Sequence, residues 1–68
     1  MAVRLKDMRI GSKVIVRGNF GTGAPHTGIV DEIETDIKNG YPGIGYKIPG
    51  IAGGNWAYLS QVERVVKY

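Results

Sequence analysis

The sequence has no cysteine, a single histidine, three prolines, one tryptophan and one phenylalanine. No apolar run in it approaches the length of a membrane span. Without cysteine, neither a disulfide nor a thiolate zinc site can staple the chain, and a reducing cytosol is the expected compartment. A zinc site wants three or four ligands, and His26 has no second imidazole or thiolate to join it. Ser12 and Ser60 fall in turn-like contexts where hydroxyls bond backbone groups, and neither has a histidine–carboxylate pair beside it in sequence. The opening "MAVRLKDMRI" lacks the apolar stretch of a signal peptide. At 68 residues the chain falls below the roughly 70–80 at which one apolar core is comfortable. It would hide only about 60% of its unfolded surface, too little to enclose a cleft that shields chemistry from water. The expectation is one cytoplasmic domain over 1–68, with 1–10 as a short lead-in, that is not an enzyme and uses no cofactor or metal.

Charge is present but unevenly placed. Arg4, Lys6, Arg9, Lys13 and Arg17 against Asp7 give residues 1–17 a balance of +4, whereas Asp31, Glu32, Glu34 and Asp36 give 31–36 a balance of −4. The net charge is +3. Such a mixture is a weaker nucleic-acid signal than one uniformly basic face. Strand alternation would send Asp31 and Glu32 to opposite faces, so the acidic stretch reads as solvated strand charge, with no EF-hand spacing.

Helical periodicity is nearly absent. Only "VRLKDM" supports a turn, with Val3, Leu5 and Met8 on a partly apolar side and Gly11-Ser12 as its stop. The remaining apolar runs are short, β-branched or aromatic, and bounded by turn residues, which predicts strands. "KVIVR" puts Val14 and Val16 on one face and Lys13, Ile15 and Arg17 on the other. In "TGIVDEIE" the apolar Val30 and Ile33 differ in parity, which predicts a bulge or sharp bend between them. "GIGYKI" aligns Ile44, Tyr46 and Ile48. "NWAYL" sets Trp56 and Tyr58 on one side, expected to be shared with core positions. "LSQ" reads as a 3₁₀ turn before the closing "ERVVKY". Asn39-Gly40 can supply positive φ, Pro42 is expected to block early pairing, and "PGIAGG" makes the next connection. The sum is an all-β, five-stranded antiparallel small barrel, whose closure would hide sheet edges.

"RIGSKVIVRGNFGTGAPHTGIVDEI" resembles the KOW pattern through Gly11, Val14, Val16, Gly18, Gly28, Val30 and Ile33. "NWAYLSQVERV" is similar to the end of SH3-like barrels, where an aromatic strand meets a 3₁₀ turn and the last strand returns beside the first. The whole chain is also similar to short uncharacterised bacteriophage and prophage proteins. The resemblance implies an SH3-like barrel that contacts RNA or protein; fold by itself assigns neither role. The loop "GNFGTGAPHT" is richer in glycine and poorer in lysine than KOW loops that hold RNA.

That loop is not a phosphate cradle. Gly18, Gly21 and Gly23 lack the dinucleotide-binding spacing, no Lys-Ser/Thr pair follows, and Pro25 and Gly28 exclude a succeeding helix. Binding is what remains. The leading expectation is a protein-interaction module with Phe20, Tyr41, Trp56 and Tyr58 as aromatic anchors. A second is a nucleic-acid module in which Arg9, Lys13, Arg17, Lys47 and Lys67 contact phosphates if the first and last strands are neighbours. A third is a component that binds copies of itself, with "RVVKY" as an open edge.

Overall fold

In a computed structural model, residues 3–17 and 24–68 are described. The described residues form five strands: β1 (Lys13–Val16), β2 (His26–Lys38), β3 (Tyr41–Lys47), β4 (Asn55–Tyr58) and β5 (Val62–Lys67). All pairings are antiparallel, in one sheet of order β4-β3-β2-β1-β5. The last strand therefore lies beside the first, and a 3₁₀ turn at Leu59–Gln61 leads into it. Among the described residues no β4–β5 pairing closes the sheet into a barrel.

The sheet curls nonetheless, because residues from all five strands share one core. Val14, Val16, Val30, Ile44, Tyr46, Ala57 and Val62 form it, joined by Met8 from the lead-in. Val3 and Leu5 pack against the same cluster, so the apolar side of "VRLKDM" is built into the domain. A 3₁₀ turn at Leu5–Asp7 carries them inward. The Asp7 carboxylate accepts the Arg4 N–H at 2.9 Å, and this holds its pKa below the ordinary value. Ser12 is fully buried. Its Oγ accepts the Arg9 N–H at 2.8 Å and donates to the Tyr68 carbonyl at 2.9 Å. One hydroxyl thus stitches the entry to β1 and the end of β5 together.

Three local features follow from sequence. The β2–β3 register shifts between Val30 and Glu32, so the parity change is a bulge at Asp31, as expected. Asn39 (φ 57°) and Gly40 (φ 79°) form the two-residue turn between the paired Lys38 and Tyr41. Two positive φ values match the twist of a tight hairpin. Gly28 has no side chain because the Tyr46 ring lies over it: a Cβ there would fall 2.5 Å from Tyr46 Cδ2.

Three expectations are corrected. Pro42 does not delay pairing: β3 begins at Tyr41, and Pro42 lies where the register jumps from Glu34–Gly43 to Lys38–Tyr41. A residue without an N–H suits a gap in the ladder. Trp56 and Tyr58 do not share the core face. Ala57 faces inward and Trp56 is 41% exposed, because short β4 alternates about its alanine. Asp31 and Glu32 do not take opposite faces either. The bulge breaks the alternation, and both side chains lie over Gly45, where a Cβ would meet Asp31 Oδ1 at 2.9 Å and Glu32 Cβ at 3.1 Å.

Candidate functional site

The β3–β4 hairpin and the 3₁₀ turn bring three of the aromatic candidates together. Tyr41 precedes Pro42 at the start of β3, while Tyr58 ends β4 directly opposite Gly43. The Tyr41 and Tyr58 rings meet edge to face at 5.9 Å, and those of Trp56 and Tyr58 at 5.1 Å. The Lys38 ammonium lies 5.3 Å from the centre of the Trp56 ring, a cation–π contact. Asn39 Nδ2 donates to the Tyr58 hydroxyl at 3.4 Å, and the Tyr58 N–H donates to Gln61 Oε1 at 2.9 Å. These bonds fix Tyr58 between the hairpin turn and the 3₁₀ turn. Tyr41 projects outward, 63% exposed.

Beside this cluster opens an apolar groove of about 510 Å³, lined by Val3, Tyr41, Pro42, Tyr58, Leu59, Ser60 and Val62. Sequence reasoning named Tyr41 and Tyr58 but missed Pro42, Leu59 and Val3. Pro42 looked like punctuation, and Leu59 and Val3 looked like parts of short turns. Only the return of the lead-in against the 3₁₀ turn makes them neighbours. Phe20, the fourth aromatic candidate, lies outside the described residues.

The basic candidates divide. Lys67 faces Lys13 across β5 and β1, Lys13 faces Ile29 of β2, and Ile29 faces Lys47 of β3. Three of the five therefore fall in one transverse row. Arg17 pairs with Glu63 at 3.4 Å. Arg9 covers the Tyr68 ring at 4.5 Å and its Nε donates to the Tyr68 carbonyl at 3.1 Å.

His26 is a structural group: its Nε2 lies 2.9 Å from the Tyr46 hydroxyl, a hydrogen bond at the rim of the core. Burial pushes the Tyr46 phenol above its ordinary pKa. Among the described residues no group of three histidine or carboxylate side chains could hold a metal ion. No helix there is long and apolar enough to cross a membrane.

Comparison with protein-family models, curated proteins and solved structures finds no match to this chain.

The acidic stretch makes one pH prediction. The hydrogen bond that protonated Glu32 donates to the Glu34 carboxylate, then the Glu34 charge, raise the Glu32 pKa above the ordinary 4.5, with desolvation and the Asp31 charge adding to the shift. Just above that value the folded chain keeps a proton the unfolded chain has lost, so stability falls as pH rises through this window. Denaturant melts across the window should show this slope, and Glu32→Gln should flatten it. An unchanged slope in the variant would mean that another group is responsible.

Proposed function

We propose that the protein is a small non-catalytic binding module of the SH3-like barrel kind, whose ligand is a protein segment seated in the groove between Tyr41, Pro42 and Tyr58. The observation that carries this reading is an apolar groove beside three interlocking aromatic rings, two of them strongly exposed on a domain with little surface to spare. Aromatic side chains concentrate binding energy at small interfaces, because they bury large rigid area at low entropic cost. The groove is apolar and open to solvent along one side, which suits an extended segment better than a reacting small molecule.

The test is selection of linear peptides from a random library, followed by titration monitored through Trp56 fluorescence and backbone amide shifts. Tyr41→Ala is expected to weaken a selected peptide roughly tenfold or more while changing stability by no more than about 0.5 kcal/mol. Peptides that bind the variant as well as the parent would move the site elsewhere. Failure to select any peptide would remove the reading.

The lysine row supports a second reading, a nucleic-acid module in which Lys13, Lys47 and Lys67 meet phosphates. A phosphate-dominated complex weakens steeply with salt, whereas a groove-bound peptide does not. Oligonucleotide titration at two ionic strengths separates the two.

A further inference from the structure

The outer face of the sheet carries two like-charged groups side by side, one across the strands and one along β2. In the first, Lys67 and Lys13 are direct cross-strand partners and Lys47 follows across Ile29. Like charges directly opposed destabilise a sheet. One rung beyond, past the bulge, the face turns acidic. Asp31 and Glu32 lie over Gly45, and Glu34 stands opposite Gly43. Glu32 and Glu34 lean together and repel each other once both are ionised. The ion pairs among the described residues are Arg4–Asp7 and Arg17–Glu63, and neither involves a member of these two groups.

We infer that this face is the contact between two copies of the chain, the lysine row of each lying against the carboxylates of the other. The lysines run across the strands and the carboxylates run along β2, so the two lines meet at about a right angle and are self-complementary about their diagonal. A two-fold axis lying in the contact, along that diagonal, sets Lys13 and Lys67 of each copy over Glu32 and Glu34 of the other and closes the assembly as a dimer. The spacings agree: cross-strand lysines stand about 5 Å apart, and glutamates two residues apart along a strand about 7 Å. Lysine stems span the difference. Ile29, half-buried inside the lysine row, supplies apolar area beside the charged groups. A second copy relieves both repulsions at once, whereas a polyanion would relieve only one and meet the carboxylates beside it. The inference stands apart from the groove and does not need a peptide to bind there.

The experiment is analytical ultracentrifugation of the full chain over a concentration series, from about 0.02 to about 0.2 M salt, where the Debye length shortens severalfold. The expected result is a reversible dimer whose dissociation constant rises roughly tenfold or more across that range. Lys13→Glu with Lys67→Glu, and separately Glu32→Lys with Glu34→Lys, should each weaken self-association by at least roughly tenfold, and an equimolar mixture of the two should form a heterodimer. Lys13→Gln with Lys67→Gln serves if the charge reversals do not fold, with circular dichroism as the check. A parent chain that stays monomeric throughout, a dimer that survives either reversal, or a mixture that stays monomeric would overturn the inference. So would a monomer that binds a ten-residue oligothymidylate through Lys13 and Lys67, because the row would then serve nucleic acid.

Discussion

Ile44→Ala is expected to leave the chain largely unfolded at room temperature. Among the described residues Ile44 is the largest fully buried side chain, and it lies on β3, paired on one side with Ile33 of β2 and on the other with Ala57 of β4. Truncating a buried isoleucine costs about 2–5 kcal/mol, from lost transfer energy and the cavity left behind. A single core in a chain of this size supplies only about 3–5 kcal/mol in total. The loss and the reserve are therefore of the same order, and the folded population should collapse. Thermal melting followed by near-ultraviolet circular dichroism reads this directly. Ile51→Ala is the control: Ile51 is 60% exposed and its truncation should change stability by no more than about 0.5 kcal/mol. An Ile44 variant melting within a few degrees of the parent would mean that the core is not organised around this residue.

Gly43→Ala should be nearly as damaging, although it adds only one methyl group. The new Cβ would fall against the Ala57 carbonyl oxygen and within 2.5 Å of Ile37 Cγ2. Ile37 belongs to the stretch where β2 gains residues over β3, and its side chain folds over Gly43. The side chain could turn away, but the carbonyl belongs to the β3–β4 pairing and cannot move without opening it. Overpacking of this kind costs about 1–3 kcal/mol, and more when backbone must shift. The loss should appear first as faster amide exchange in β4, the strand that carries Trp56 and Tyr58. Gly54→Ala makes the contrast: nothing lies within 4 Å of a Cβ there, and its effect should be about neutral or mildly stabilising. Equal effects at the two glycines would show that the close packing on Gly43 is not a constraint.

Much of the fold is legible in the chain because its signals are local. Val14 and Val16 alternate against lysine and arginine, Asn39-Gly40 carries its own turn geometry, and the parity change from Val30 to Ile33 announces a bulge. Each depends on neighbours a few residues away. The candidate site was legible only in part. Tyr41, Trp56 and Tyr58 could be named as aromatics, but whether they faced the core turned on which side of β4 held its small residue. Ala57 is a weak signal beside a tryptophan and a tyrosine, and hydrophobicity alone points the wrong way. Asp31 and Glu32 were misplaced for a related reason: a bulge suspends the alternation that strand reasoning relies on.

By itself the sequence determined an all-β chain without thiol or clustered histidine chemistry, with five strands, their turns and the bulge in β2. Those properties follow from side-chain shape and backbone preference, which act over short range. Tertiary structure alone decided that Val3, Pro42, Tyr58 and Leu59 share a groove, that Lys67, Lys13 and Lys47 share a row, and that the acidic side chains gather beside it. These neighbours are far apart in the chain. They meet because β5 returns to β1 and the sheet curls around a core that no single strand could bury.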